Sequence, residues 1–253
     1  MSEPISGEFD DSDLTVAIQL ANSDLAPAQI ESLLAYRDLM FQTNQRLNLT
    51  AIRDRGEMGR RLVLESLRLV SPLREAIGLD RDPRVLDLGT GGGVPGVILA
   101  IAFPAIPFVL LDATGKKLAA VESMLKELGI ANVTTLHSRA EDAAHEPEWR
   151  SAFTVVTARA VSSVSALIEL GLPFLKLHGK MLLPKGLNVN EELQIGAIAG
   201  KLVGGNIASA SVLPHNGSHT DTTLVVIEKT RTTPATYPRR SGLPSRQPLG
   251  TSS

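Results

Sequence analysis

The period of the hydrophobic pattern changes twice along this chain. Up to about residue 80 the apolar side chains recur at helical spacing. From residue 84 short apolar runs alternate with helical stretches, and beyond residue 230 no period remains. In the first stretch Ile30, Leu33, Leu34 and Phe41 predict one side of a helix, with Pro27 suited to its first turn. Residues Asn48 to Ile52 break the pattern and predict a turn. A further helix is expected from Glu57 to Val70. Met58, Leu62 and Leu69 form its apolar stripe, Arg61, Leu64 and Arg68 line another side, and Pro72 and Gly78 mark its exit.

The second stretch opens with Val85 to Leu88, an apolar run that predicts a buried strand. It empties into Gly89-Thr90-Gly91-Gly92-Gly93. Pro95 then begins a helix that buries Val97, Ile98, Ala100 and Ile101, and the run Phe108 to Leu111 ends in Asp112. A helix carrying Leu118, Val121, Leu125 and Leu128 is closed by Gly129. Strands are expected at Val133–Leu136, Phe153–Ala158, Lys180–Leu183, Ile207–Leu213 and Thr222–Ile227. Helices are expected through Leu167 and Leu170 and over 190–202. Such alternation predicts an α/β fold with a mainly parallel sheet covered on both faces. The long excursion through 190–221 allows an antiparallel final hairpin. The expected division is an acidic, structureless N-terminus (1–13), a helical extension (14–82), an α/β domain (83–230) and a basic, proline-rich tail (231–253) with no predicted element.

Composition narrows the chemistry. The chain has 253 residues, 43% hydrophobic but only 4% aromatic, so aliphatic side chains must fill its core. With no cysteine, disulfides, thiolate metal sites and a cysteine nucleophile are excluded. His215 and His219 lie four apart, but Pro214, Asn216 and Gly217 predict a loop, so no metal site is expected. No apolar run has membrane-spanning length, and MSEPISGEFDDSD lacks the basic-then-apolar order of a signal peptide. A soluble, cytoplasmic monomer is the expectation.

Net charge is −2, but it is unevenly spread. Residues 1–13 carry five acids and no base, residues 44–74 seven arginines against three acids, and residues 229–253 five bases and no acid. Arg53, Arg55, Arg60, Arg61, Arg239 and Arg240 are therefore candidates for holding RNA phosphates. Charge alone leaves open the plainer reading, in which these arginines solvate helix faces and tails. Tyr36, Phe41 and Tyr237 could stack on bases, though packing explains them equally well.

The glycine turn carries the most specific chemistry. Glycines let backbone come close to a ligand, and a helix N-terminus offers free N–H groups. Gly91, Gly93 and Gly96 match the spacing of a dinucleotide fingerprint, and Asp112, sixteen residues beyond Gly96, could accept both hydroxyls of a ribose. A nicotinamide- or flavin-dependent oxidoreductase is thus one reading. S-adenosylmethionine is the other. It has no pyrophosphate and carries a sulfonium and an amine, which a carboxylate at Asp87 would favour. A structural acid that bonds loop amides is the alternative for Asp87. A phosphate-binding P-loop is excluded, because Gly115-Lys116-Lys117 lacks the upstream glycine and the following Ser or Thr.

Six segments occur in one order: NLTAIRD (48–54), VLDLGTGGGVPGVILAIAFP (85–104), LLDATGKKL (110–118), SRAE (138–141), ARAV (158–161) and LLPKG (182–186). With the tail TPATYPRRSGLPSRQPL (233–249) they resemble the bacterial 16S ribosomal RNA guanine-N7 methyltransferases, the small-subunit methyltransferase G family. The resemblance spans about residues 27 to 249. It implies a class I, Rossmann-like S-adenosylmethionine-dependent methyltransferase with an N-terminal helical extension, acting on 16S rRNA or the small ribosomal subunit. It implies cofactor contacts at Gly89, Val94, Ala140, Glu141 and Arg159, with Asp112 at the ribose. Arg159 is also the candidate for orienting substrate. Where the family has Arg-His-Ile-Leu-Asp-Ser-Leu this chain has Arg61-Leu62-Val63-Leu64-Glu65-Ser66-Leu67. The family's arginine before the last apolar run is replaced by Thr220-Asp221-Thr222-Thr223. A catalytically decayed, ribosome-binding relative is therefore an alternative reading.

Overall fold

The computed structural model describes residues 9–22, 24–159, 162–215, 218 and 220–251. Residues 1–8 of the acidic terminus, Ala160 and Val161 of ARAV, and His219 lie outside them.

The first described helix is α1 (Asp11–Ala21), three residues before the expected boundary. Asp10 caps it, accepting from the backbone N–H groups of Ser12 and Asp13, while the Asp13 carboxylate accepts from the Asp10 N–H. Helix α2 (Pro27–Leu47) buries Ile30, Leu33, Tyr36, Arg37, Met40 and Asn44, and leaves Leu34 and Phe41 half-buried at the edge of that face. The helix expected over 57–70 is built in pieces: α3 (Arg55–Met58), a π-helical stretch over Gly59–Leu64, and α4 (Glu65–Leu67). A separate α5 (Val70–Ile77) follows and ends at Gly78, so Pro72 sits in a first turn rather than at an exit.

The rest alternates as expected: β1 (Val85–Leu88), α6 (Gly96–Ala102), β2 (Phe108–Asp112), α7 (Gly115–Leu128), β3 (Val133–His137), α8 (Ala140–Ala143), β4 (Phe153–Thr157), α9 (Val164–Gly171), β5 (Leu175–Lys185), α10 (Asn190–Val203), β6 (Gly205–Val212) and β7 (Thr223–Lys229). The sheet order is β3-β2-β1-β4-β5-β7-β6, with β7 antiparallel to both its neighbours and the other pairs parallel. Side chains alternate across it. Val85, Phe108, Leu110, Val155 and Leu182 join a core with the N-terminal helices, α6 and α7. Leu86, Leu88, Val109, Leu111, Val156, Met181 and Leu183 join a second core with α9 and α10.

The tail expected to lack structure is built into the second core. Tyr237 and Leu249 pack there, Arg150 donates to the carbonyls of Thr233, Pro234 and Tyr237, and a short helix α11 covers Leu243–Arg246. The bases that lead into it bond neutral oxygens. Lys229 is buried and donates to the Leu175 carbonyl at 2.7 Å and the Ser151 hydroxyl at 3.2 Å, and Arg231 donates to the Lys201 carbonyl. No helix is long and apolar enough to cross a membrane among the described residues.

Candidate functional site

The carboxyl ends of the parallel strands meet α2 and the π-helical stretch along one continuous slot. Three cavities make it. The first, about 400 Å³, lies over the glycine turn and is lined by Gly89 to Gly92, Val94, Asp112, Thr114, Lys117 and Arg159, with Met40, Leu49, Thr50 and Leu62 opposite. A second, about 460 Å³, shares Gly89 and Asp112 with it and runs past Ser138, Arg139, Ala140 and Glu141 to the tail. A third, about 500 Å³, shares Thr50, Leu62 and Arg159 and continues to Arg61, Glu65, Lys185 and Thr222. Asp112 therefore stands at one junction, and Arg159 and Leu62 at the other.

The glycine turn is held from three sides. Gly89, Gly91 and Gly93 have φ of 71°, 57° and 93°, the left-handed region that side chains with a Cβ avoid. Asp112 fixes the turn from below: Oδ2 accepts from the Gly91 N–H and Oδ1 from the Thr114 N–H, both at 2.8 Å. Tyr36 of α2 fixes it from above, its hydroxyl donating to the Gly92 carbonyl at 2.6 Å. Burial raises the Tyr36 pKa, and the Asp87 carboxylate adds to the rise, so this donor stays protonated. Asp87 holds the turn from within.

Asp87, expected to contact the cofactor, lies beneath the turn. Its side chain is 1% exposed and does not line the cavity. Oδ2 accepts from the Thr90 hydroxyl at 2.6 Å and the Gly96 N–H at 3.0 Å, and Oδ1 from the Thr157 hydroxyl at 3.1 Å. Burial pushes its carboxyl up, against the pull of these donors and of Arg159. It is a buried brace that sets the turn.

Gly89, Gly91, Val94, Asp112 and Arg159 are brought together around the first cavity, and Ala140 and Glu141 line the second. Glu141 is nearly buried, and its Oε1 accepts from the Gly242 N–H of the tail at 2.7 Å. Arg159 donates to the Arg61 carbonyl at 2.9 Å, which ties the end of β4 to the π-helical stretch. Burial lowers its pKa, with Asp87 and Glu65 opposing, and a guanidinium so far above neutrality keeps its charge. Replacing Asp112 with Ala removes both turn contacts as well as the acceptor at the junction. Cofactor affinity is expected to fall by roughly ten- to a hundredfold, corresponding to ~1.5–3 kcal/mol for a charged acceptor, with the fold retained. Calorimetric affinity equal to wild type would contradict this role.

The phosphate-holding candidates divide. Arg55 is ion-paired to Asp11 and Asp38 at 2.8 Å, in a network with the fully buried Arg37, and Arg55 holds the Asp11 carboxyl down at about 2. Arg60 pairs with Glu57 at 2.9 Å and lies over the Phe9 ring. Arg239 pairs with the buried Glu169 at 2.7 Å. The charges of these three are met by carboxylates within the protein. Arg53 bonds the Asn44 carbonyl and the Asn48 side chain, both neutral. Arg61 and Arg240 are exposed and have no carboxylate partner among the described residues. Tyr36 is buried and so cannot stack on a base. No local pattern marks Tyr36 as a loop brace or Gly242, Ser245 and Arg246 as cavity wall. Among the described residues no group of three acidic or imidazole side chains could hold a metal ion.

A model of the rRNA small subunit methyltransferase G family matches residues 29–210. The ribosomal RNA small subunit methyltransferase G of Dehalococcoides mccartyi is 35% identical over 237 residues, which cover 94% of this chain and 99% of that protein. Its counterpart in Moorella thermoacetica is 36% identical over 225 residues, covering 89% and 92%. Among solved structures, a sarcosine dimethylglycine methyltransferase from Galdieria sulphuraria matches with a TM-score of 0.52 at 14% identity, over 70% of this chain and 88% of that one, a likeness of fold alone.

Proposed function

The chain belongs to the rRNA small subunit methyltransferase G family, and we propose that it methylates N7 of a guanine in 16S ribosomal RNA with S-adenosyl-L-methionine as cofactor. The observation that carries the reading is the slot, in which Asp112 lines the first and second cavities and Arg159 the first and third. The dinucleotide oxidoreductase reading falls with family membership.

The site fits the cofactor. A Cβ built on Gly91 would meet nothing within 4 Å, so the turn leaves open space where backbone must approach a ligand. Ala140 and Glu141 would flank the adenine, Asp112 would take the ribose hydroxyls, and Gly89 to Gly92 with Val94 would bound the methionine end. The cofactor supplies an electrophilic methyl group on a sulfonium. Guanine N7 carries an in-plane lone pair and no proton, so the protein needs no general base. Its work is alignment of base and methyl group, which can contribute ~7–11 kcal/mol. Arg159, shared by the first and third cavities, is placed to orient the base or the cofactor carboxylate. Leu62 and Leu49 present apolar surface there and exclude water. Arg53, Arg61 and Arg240 would hold RNA phosphates, the sequence-independent part of binding. The reading carries the further expectations of a monomer that works in the cytoplasm on rRNA or on the small subunit.

Radiolabelled methyl transfer to unmodified rRNA and to small subunits, with the modified base identified, tests the proposal. Cofactor binding without transfer to either substrate would favour the decayed relative. Leu62 sharpens this test. It stands where the family has histidine, and it is 6% exposed, packed in the N-terminal core and in the wall of two cavities. Because transfer needs no base, Leu62→His is expected to change single-turnover rate by less than tenfold. It should also lower stability by burying an imidazole without a partner. A gain above roughly tenfold, about 1.4 kcal/mol of barrier, would mean that wild type has lost a needed group.

A further inference from the structure

We propose that the C-terminal segment 239–246 is the outer wall of the cofactor's adenine end, and that Arg239 is the residue that positions it. This rests on the reading that the slot holds S-adenosyl-L-methionine. Sequence charge assigned the tail to RNA, but apart from the exposed Arg240 the contacts of this segment are with the walls of the slot.

Arg239 is the latch. Its Nε and Nη2 grip the two oxygens of Glu169 at 2.8 and 2.7 Å, and its own backbone N–H donates to Oε1 at 2.8 Å. The Glu169 side chain is fully buried on α9. A bidentate, charge-assisted grip on a buried carboxylate fixes direction as well as position. Nη2 also donates to the Gln247 carbonyl at 2.7 Å, which holds the far end of the loop. The segment between is pinned to the helix that follows β3. The Gly242 N–H donates to Glu141 at 2.7 Å and the Ser241 hydroxyl to Asp142 at 3.1 Å. Gly242 has φ of +78°, and a Cβ there would lie 3.2 Å from Arg246 Nη2, so the bend needs glycine.

The consequence is a closed side to the second cavity. Gly242, Ser245 and Arg246 face the ends of β1 and β2, with Ala140 and Glu141 between. The other walls come from the ends of β1 and β2, the stretch Ser138–Glu141 and Leu170 of α9, and the tail supplies a further side. The wall also contacts Glu141 directly, so the tail sets the orientation of a residue placed beside the adenine. A flat base with an exocyclic amine, held between two such walls, is selected by shape and by that edge. Arg239 acts on it only through the segment it anchors.

The test compares wild type, Arg239→Ala and Gly242→Val by calorimetry with S-adenosylhomocysteine and with S-inosylhomocysteine, in which a carbonyl replaces the adenine amine. Wild type should prefer the adenosyl form. Both variants should bind it at least tenfold more weakly and lose most of that preference. In methyl-transfer assays the loss should fall on KM for the cofactor rather than on kcat, and the salt dependence of rRNA binding should not change. Gly242→Val keeps the Arg239–Glu169 pair, so it still reports should Arg239→Ala fail to fold. Unchanged affinity and preference in a folded variant would overturn the proposal and leave the methyltransferase reading intact. So would a flatter salt dependence, which would return Arg239 to RNA. A wild type that binds neither compound would overturn both.

Discussion

Gly91→Val should abolish cofactor binding while leaving the protein folded. A Cβ at this position meets nothing within 4 Å, so no core contact resists the new side chain. The space it enters is the cavity that Gly91 lines with Asp112 and Lys117. The backbone is at φ +57°, where a branched residue costs about 1–2 kcal/mol. That is a modest fraction of the stability of a domain this size. The loss of binding should be larger, beyond about a hundredfold, or roughly 2.8 kcal/mol. The methyls would fill the crevice, and relief of strain would pull the Gly91 N–H from Asp112. Circular dichroism with calorimetric titration checks both halves. A folded variant that binds normally would move the cofactor site away from the glycine turn.

Five residues on, the same kind of change should have the opposite signature. Gly96→Ala would put a Cβ 2.3 Å from Leu110 Cδ2 and 2.7 Å from Asp87 Oδ2. Neither neighbour can give way cheaply. Leu110 is fully buried in the N-terminal core, and Asp87 is fixed by Thr90, Thr157 and the Gly96 N–H itself. Overpacking costs about 1–3 kcal/mol, and loosening a buried carboxylate from its donors costs a similar amount. A loss of about 3 kcal/mol or more is expected, a fall in Tm on the order of 6–12 °C for a chain of this length. Cofactor affinity, measured where the variant is folded, should fall less than in Gly91→Val. A Tm within about 2 °C of wild type would mean that the α6 entrance is softer than its contacts imply. One fingerprint thus contains a glycine that serves the ligand and a glycine that serves the fold.

The basic segments show how neutralisation redirects a charge. Of the seven arginines over residues 44–74, Arg53, Arg55, Arg60 and Arg61 were candidates for RNA phosphates. Arg55 joins the buried Arg37 in sharing Asp11 and Asp38, which staples α1 and α3 to α2. Arg68 donates to the carbonyls of Leu213 and Thr220 and pairs with Glu65, which ties the N-terminal helices to the β6–β7 connection. Of the candidates, Arg53, Arg61 and Arg240 meet no carboxylate among the described residues, and Arg61 lines the third cavity beside Arg159.

The strand, turn, helix, strand and acid between residues 85 and 112 were legible in the sequence because each piece is decided by neighbours within a few positions. A run of apolar residues, glycines that permit positive φ, a proline before a helix and an acid at a strand end need no distant partner to be recognised. The alternation of elements, the antiparallel end of the sheet and the cavity-lining set Gly89, Gly91, Val94, Asp112 and Arg159 follow from the same local logic and from the ordered motifs. What only the tertiary structure decided are the properties that belong to pairs. The Tyr36 hydroxyl reaches a carbonyl 56 residues away, Arg55 meets an acid 44 residues away, and Arg239 meets one 70 residues away. Charge is carried by one residue and can be read from its letter. Whether that charge is free for RNA, spent on a helix, or used to hold a wall beside a cofactor depends on which carboxylate the chain brings to it, and that is set by topology.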